Sequence, residues 1–180
     1  GEPRFRADQI FEWLYARNAA SFDEMTPLPK KLRGKLSETF DIDSLKPGAG
    51  LRSRDGTRKF SFIMSDGEKI ESVLIPERGR LTLCVSSQAG CALGCRYCRT
   101  GAGGFRRNLE TAEILDQIIA ARRSLGPDRA LTNLVFMGMG EPFMNFDNLV
   151  AALKIITSPD GMGFSPRRIT VSTSGITDRF

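Results

Sequence analysis

Apolar residues in the first forty positions recur with the period of amphipathic helices. Ile10 and Leu14 form one stripe within residues 7–15, with Trp13 beside it. A second stripe repeats at every fourth position: Leu28, Leu32, Leu36 and Phe40. This spacing puts the apolar side chains on one face of each helix. The pattern predicts a small helical domain over residues 1–45.

Polar and turn residues indicate where helices begin in this segment. Ser21 and Glu24 stand at the spacing of a capping box, in which two side chains satisfy free backbone N–H groups. Pro29 suits the start of a helix, where a missing N–H costs nothing. We therefore expect helix starts near residues 21 and 29.

Beyond this segment the period changes from helical to alternating. Phe60, Phe62 and Met64 alternate with the residues between them, as in a strand. An Asp-Gly turn at 66–67 follows, and then a second extended run at 69–75. The pattern predicts a β-hairpin that bridges two regions of the chain.

From residue 81 the chain repeats a pattern of strand, loop and helix. The predicted strands are 81–86, 132–137 and 168–173, and the predicted helices lie near 111–124 and 147–157. The first helix should have Thr111 as its cap, Glu113 in its first turn and Gly126-Pro127 beyond its end. Its apolar face comprises Ile114, Leu115, Ile118 and Ile119.

Strands that alternate with helices of this length are typical of right-handed βαβ units. The expected fold class is α/β: the first three βα units of a barrel, preceded by a small helical domain and a β-hairpin. We expect three regions, a helical domain at 1–45, a hairpin linker at 46–80 and half of a barrel at 81–180.

Three chemically distinctive stretches follow the three predicted strands of this pattern. They are a cysteine-rich loop, the sequence GlyMetGlyGluPro (138–142) and the sequence SerThrSerGly (172–175). Loops at the carboxyl ends of parallel strands form the active sites of such folds. The three stretches are therefore expected to meet in one site.

Composition narrows the chemistry that such a site could perform. The chain has no histidine, which excludes Ser-His-Asp and Cys-His catalysis and every metal site that contains histidine. No apolar run is long enough to cross a bilayer and no secretory leader opens the sequence, so we expect a cytoplasmic protein. The net charge is +5 and arginine dominates it, which fits a nucleic-acid partner or a solvated basic surface.

Three of the four cysteines occur within eight residues, as Cys91-x3-Cys95-x2-Cys98. A structural zinc site is one interpretation, but it needs a fourth ligand, and Cys84 sits within the preceding strand. An iron-sulfur cube fits better, because three thiolates can hold three irons and leave the fourth iron open. Flanking glycines, Gly90 and Gly94, give so short a loop the freedom to wrap a cluster.

These motifs resemble the RlmN/Cfr group of radical S-adenosylmethionine (SAM) RNA adenine methyltransferases. The resemblance covers the cysteine loop at 82–101, the sequence MetGlyMetGlyGluPro at 137–142 and the sequence ArgArgIleThrValSerThrSerGly at 167–175. The leading segment, at 6–15 and 21–27, is similar to the RlmN branch in particular. The barrel is then expected to be a radical SAM barrel, and the leading domain to bind RNA.

The resemblance assigns cofactors to named positions. Cys91, Cys95 and Cys98 match the ligands of a [4Fe-4S] cluster whose open iron is chelated by SAM. The matching SAM contacts are Tyr97, Gly140, Glu141 and Ser172. Taken alone, Tyr97 fits a surface tyrosine equally well, GlyMetGlyGluPro is typical of a turn, and a serine such as Ser172 is typical of a helix cap.

Two further residues match catalytic positions of the family. Strand alternation places Cys84 on the face opposite Leu83 and Val85, which indicates a thiol that lines the site or a half-buried structural cysteine. The resemblance implies that Cys84 resolves a protein–RNA adduct through a transient disulfide. Glu71 matches the proton acceptor, although from sequence alone it is typical of an exposed strand carboxylate.

Four arginines lie in or just after the cysteine loop: Arg96, Arg99, Arg106 and Arg107. They could guide RNA phosphates toward the site, with an affinity that depends on salt, or form a solvated rim.

The resemblance implies methylation of carbon 2 of adenosine in 23S rRNA and tRNA, through a methyl-cysteine intermediate. No cysteine follows Cys98, so we expect the chain to be the N-terminal half of a longer enzyme, inactive alone. The implied partners are RNA and a low-potential electron donor such as flavodoxin or ferredoxin; we expect a monomer with no membrane contact. Three alternatives stay open: methylation at carbon 8, a radical SAM enzyme with another substrate, such as a protein activase, and a zinc-stapled RNA-binding module.

Overall fold

A computed structural model describes residues 1–126 and 128–176 of the chain, so Pro127 lies outside the described residues. The helices are α1 (Phe5–Tyr15), α2 (Lys30–Thr39), α3 (Arg99–Ala102), α4 (Thr111–Arg123) and α5 (Phe146–Thr157). The strands are β1 (Lys46–Pro47), β2 (Leu51–Arg52), β3 (Arg58–Ile63), β4 (Lys69–Glu77), β5 (Arg80–Cys84), β6 (Gln88–Gly90), β7 (Phe105–Asn108), β8 (Asn133–Phe136) and β9 (Ile169–Val171).

The leading segment is helical, as predicted, but one of its helix starts is wrong. Residues 22–24 form only a single 3-10 turn, and the Ser21 side chain makes no capping hydrogen bond, although Glu24 accepts one from the backbone of Ala20 at 3.1 Å. Pro29 does precede α2. Phe40 lies past the end of α2 and is 60% exposed, so the predicted stripe ends at Leu36.

This segment has a small core of its own. It is formed by Ala19, Phe22, Met25, Leu28 and Leu32, against which Ile10, Trp13, Leu14, Leu36 and Ile42 pack. The apolar stripes of α1 and α2 therefore face each other rather than the sheet, as their spacing requires.

The predicted hairpin is present and is continuous with the rest of the sheet. β3 pairs antiparallel with β4, and β4 pairs antiparallel with β5, where Val73 lies opposite Cys84. The short strands β1 and β2 both pair with β3. The hairpin thus extends the sheet that carries the candidate site.

The α/β fold class is confirmed, with an open sheet and no closed barrel among the described residues. β5, β8 and β9 are parallel neighbours in that order, and α4 and α5 connect them in sequence. All four predicted apolar residues of α4 are at most 3% exposed. The predicted cap is wrong: Glu110 caps α4 in a capping box with Glu113, while Thr111 donates to Asn148 at 3.0 Å.

Two arginines at the end of α4 tie the leading segment to this helix. Arg122 donates to the carbonyls of Tyr15 and Ala16, at 2.6 and 2.9 Å. Arg123 donates to Ala19 and to both carboxylate oxygens of Asp43, at 2.7 and 2.8 Å. Because cations are favoured near the free carbonyls that end a helix, the C-terminal end of α1 is a natural partner for Arg122.

Within the described ranges, no helix combines the length and apolar character needed to cross a bilayer.

Candidate active site

Two short strands close the cysteine loop at its base. β6 pairs antiparallel with β7, so that Gln88 lies opposite Asn108 and Ala89 opposite Arg107. Gly90 has φ +75°, and a Cβ there would stand 1.9 Å from the carbonyl oxygen of Gly104. Only glycine allows the two strands to approach so closely. The loop that carries the three thiols therefore leaves and rejoins the fold at one fixed place.

Arg107 anchors this base to two other elements. Its guanidinium bonds both carboxylate oxygens of Glu113 at 2.7 Å, and it also bonds Asp66 in the turn between β3 and β4. Glu113 is 4% exposed. Hydrogen bonds with Glu113, then with Asp66, raise the pKa of Arg107 above its usual value. Arg107 is thus part of the scaffold and neither a free RNA contact nor a solvated rim.

The three distinctive loops meet in one cavity of about 560 Å³. Seven of the nine predicted site residues line it: Cys91, Cys95, Tyr97, Cys98, Gly140, Glu141 and Ser172. Tyr97 is 93% exposed at its rim. The expectation that the carboxyl ends of the parallel strands converge is therefore confirmed in the geometry.

Gln88 joins the cysteine loop to the Gly140-Glu141 stretch. Its side-chain oxygen accepts from the backbone N–H of Glu141 at 2.9 Å, and its amide donates to Asn108 at 2.7 Å. Gly140 has φ +98°, and a Cβ there would lie 2.5 Å from that of Gln88. Glycine is required at position 140 because the backbone there passes so close to the Gln88 side chain.

Glu141 ties the second loop to the third. Its two carboxylate oxygens accept from the backbone N–H groups of Phe143 and Ser174, at 3.1 and 2.8 Å, and the residue is 2% exposed. Burial alone would raise the pKa of Glu141, but these hydrogen bonds outweigh it and the pKa lies below its usual value. The carboxylate is therefore ionised at neutral pH, and each of its oxygens already accepts one hydrogen bond.

The four cysteines are free thiols and all are partly exposed. The backbone N–H of Gly101 is the main cause that lowers the pKa of Cys98, which favours the thiolate that binds metals. Across the described residues, no three Cys, Asp or Glu side chains are spaced to hold one metal ion. The three thiols nevertheless face one cavity, and a cluster takes each thiolate on a different iron, so the donor set fits a [4Fe-4S] cluster.

The other two predicted site residues, Cys84 and Glu71, do not line this cavity. Cys84 accepts a hydrogen bond from the backbone of Met137, which does line it, and burial raises the pKa of the Cys84 thiol. Glu71 forms an ion pair with Lys59 at 2.7 Å and lines a neighbouring cavity of about 340 Å³. Since Val73 is opposite Cys84, Glu71 lies on the same face of the sheet, one diagonal step away.

Sequence reasoning missed the residues that hold the loops together. Gln88 is fully buried, and Asn145, 2% exposed, donates to the carbonyls of Ser87 and Leu109 at 2.8 and 2.7 Å. The only sequence signal was their polar character beside predicted strand ends, where loop residues are usually polar in any case.

The remaining loop arginines differ from one another. Arg106 forms an exposed ion pair with Glu68 at 3.7 Å. Arg96 and Arg99 are exposed, and their guanidinium groups have no hydrogen-bond or ion-pair partner in the described part of the chain. These two side chains are the ones available to an anionic partner at the mouth of the loop.

Comparison with known protein families identifies the superfamily of the chain that forms this cavity. A family model of the Radical SAM superfamily matches residues 85–179, which include all three cysteines of the loop. The chain belongs to the radical SAM superfamily. A second model, the ribosomal RNA large subunit methyltransferase N-terminal domain, matches residues 1–42 of this radical SAM protein.

Curated relatives confirm the resemblance to the RlmN/Cfr group. The radical SAM chain is 55% identical over 176 residues to the dual-specificity RNA methyltransferase RlmN of Geobacter sulfurreducens, covering 98% of this chain and 48% of that protein. It is 52% identical to the protein of the same name from Desulfosudis oleivorans, covering 97% and 47%. The chain thus spans about half the length of the curated relatives it matches.

A solved structure shows the same fold. The crystal structure of a radical SAM methyltransferase from Sphaerobacter thermophilus superposes with a TM-score of 0.91 at 46% identity. The match covers 97% of this radical SAM chain and 52% of that one.

Proposed function

We propose that this chain is the cofactor-binding half of a radical SAM RNA methyltransferase that acts on carbon 2 of adenosine in 23S rRNA and tRNA. The observation that carries the proposal is the single cavity in which the three thiols, the Gly140-Glu141 pair and Ser172 meet. The relatives named as dual-specificity RNA methyltransferases support the substrate class.

Cys91, Cys95 and Cys98 would hold a [4Fe-4S] cluster on the wall of this cavity. A bound cluster supplies the electron for reductive cleavage of SAM, which starts radical chemistry at a carbon too electron-poor for polar methyl transfer. The β6–β7 base fixes where the thiols stand, and Gly94, with φ +59°, allows the chain to turn between Cys91 and Cys95.

SAM would bind between the cysteine loop and the ends of β8 and β9. The ionised Glu141 would attract the cationic amino group, and Ser172 and the ring of Tyr97 would contact the rest of the cofactor. Because Glu141 already accepts from Phe143 and Ser174, it enters the complex in a fixed orientation.

Glu71 and Cys84 would act on the RNA side of the reaction. Glu71 would accept the proton from carbon 2, which requires release of its ion pair with Lys59. The Cys84 thiolate would then attack the sulfur of the methyl-carrying cysteine. The S–S bond would form as the bond from that sulfur to the transferred carbon breaks, and the carbon would take the electron pair and a proton from solvent to become the methyl group of the released adenosine. That cysteine must come from outside these residues, since none follows Cys98.

The proposal also includes the binding partners of the protein, its oligomeric state and its cellular compartment. The leading helical segment would bind RNA, and a low-potential donor such as flavodoxin or ferredoxin would reduce the cluster. The protein would act as a monomer in the cytoplasm, with its regions divided at residues 45 and 80.

The test is anaerobic reconstitution of the complete protein with iron and sulfide. We expect about four irons and four sulfides per chain, and methylation of a target RNA identified by mass spectrometry of digested nucleosides. Cys95→Ser should lose the cluster. Cys84→Ser is the matched control, since it should keep the cluster and SAM cleavage but release little methylated RNA.

Other outcomes would replace the proposal. SAM cleavage without any dependence on RNA would indicate another substrate. A methyl group at carbon 8 would indicate the other branch of the family. One zinc per chain in place of iron would contradict enzymatic function at this loop.

A further inference from the structure

A second cavity, of about 590 Å³, opens at the opposite end of the parallel strands. Its walls are the end of α1, residues 125–126 and 129–131 between α4 and β8, and the connection that enters β9. The residues that matter are Arg17, Asn18, Arg122, Arg129, Leu131 and Phe164.

The lining of this cavity carries excess positive charge. Of the described residues, three arginines line it and no carboxylate does. Arg17 is partly neutralised by Glu12, at 2.8 Å. Arg129 is exposed, and its guanidinium has no hydrogen-bond or ion-pair partner among residues 1–126 and 128–176. The neighbouring Asp128 does not line the cavity.

Arg122 adds a partly desolvated positive charge. The residue is half-buried, and within the described ranges its guanidinium bonds the carbonyls of Tyr15 and Ala16 and forms no ion pair. Burial lowers the pKa of Arg122. A desolvated cation without a paired anion is costly, so an anion in the cavity would offset that cost.

We infer that this cavity binds a phosphodiester group of the RNA substrate at a point separate from the cavity lined by the three thiols. The inference rests on the proposed function, because it takes RNA as the substrate. Guanidinium groups match phosphate oxygens with paired hydrogen bonds, and the apolar floor of Leu131 and Phe164 limits screening by water. β8, four residues and therefore about 13 Å long, begins two residues after Leu131 of this cavity and ends at Phe136 of the cavity lined by the thiols, a short distance for a folded RNA.

The experiment measures binding of a target RNA stem-loop to the complete reconstituted protein by fluorescence anisotropy over a range of salt concentrations. Arg129→Gln should weaken binding about tenfold and reduce the slope of log K against log salt by about 1. SAM cleavage in the absence of RNA should not change. Arg54→Gln, which removes an equally exposed arginine outside the cavity, is the matched control and should bind RNA as the wild type does.

Three other results would overturn the inference. An unchanged affinity and salt slope for Arg129→Gln, with tight binding by the wild type, would overturn the inference alone. Failure of the wild type to bind RNA would overturn the proposed function as well. Thermal stabilisation by inorganic phosphate that Arg129→Gln abolishes, with no change in RNA affinity, would assign the cavity to a free anion instead.

Discussion

Arg107 and Glu113 face each other through two parallel hydrogen bonds of 2.7 Å, and this pair joins the base of the cysteine loop to the first turn of α4. Replacing Arg107 by methionine would leave the buried Glu113 carboxylate without its cation. We expect Arg107→Met to lower the free energy of unfolding by about 2 kcal/mol, measured by urea denaturation.

The neighbouring arginine is the control for this prediction. Arg106 forms only a long, exposed ion pair, so Arg106→Met should change stability by less than about 0.5 kcal/mol. Equal effects of the two substitutions would show that the Arg107–Glu113 pair does not stabilise the loop base.

Glu141→Gln should destabilise the protein and change its response to acid. A glutamine has one acceptor oxygen, so one of the N–H groups of Phe143 and Ser174 would lose its partner, at a cost of about 2 kcal/mol. Although burial opposes ionisation, the net pKa of Glu141 is lowered. The ionised form of Glu141 therefore stabilises the fold fully when the pH is above the usual pKa near 4.5. This contribution disappears as the pH falls through the lowered pKa.

Thermal denaturation at neutral and acidic pH measures both effects. The variant should lack part of the acid sensitivity of the wild type. Glu38→Gln, on the exposed surface of α2, should leave stability at neutral pH unchanged. A Glu141→Gln protein with wild-type behaviour at both pH values would refute the bridging role.

Gly140→Ala should be far more costly than another glycine substitution at positive φ. Gly140 combines φ +98° with a predicted Cβ contact of 2.5 Å to Gln88, whereas Gly163, at φ +69°, has open space around it. We expect a loss of about 3 kcal/mol or more for Gly140→Ala and about 1 kcal/mol for Gly163→Ala, measured by chemical denaturation. Similar losses would mean that Gln88 moves aside easily.

Cys84 should react as a thiol of raised pKa. In a protein with Cys91, Cys95 and Cys98 all changed to serine, Cys84 is the single thiol left in the chain. Burial raises the pKa of Cys84, so the rate of alkylation by iodoacetamide should reach half its maximum above the usual value near 9. The midpoint should fall to the usual value in urea, and identical midpoints in both conditions would contradict the burial of this thiol.

Periodicity predicted the main elements because helices and strands bury faces of fixed spacing. The apolar residues of α4 and the alternation along β3 follow directly from that requirement. The positions of the three thiols could likewise be predicted, since the loops at one end of a parallel sheet must converge.

The failures have a common physical cause. A capping box at Ser21 and a cap at Thr111 were read from local sequence, but the side-chain partner of Thr111 is Asn148, on α5. Gln88 and Glu141 are 53 positions apart, and neither carries a local mark of the bond between them. Hydrogen bonds of this kind depend on how loops are packed, which no repeat in the sequence records.

The pairing of β6 with β7 has a thermodynamic consequence for metal uptake. Bringing the ends of a flexible segment together costs conformational entropy. In this protein the ends of residues 91–104 are already brought together when the chain folds, because β6 pairs with β7. Under the proposed function, binding of a cluster has to order only the interior of the segment, so we expect the thiolates to bind iron more tightly than the same peptide would when detached from the sheet.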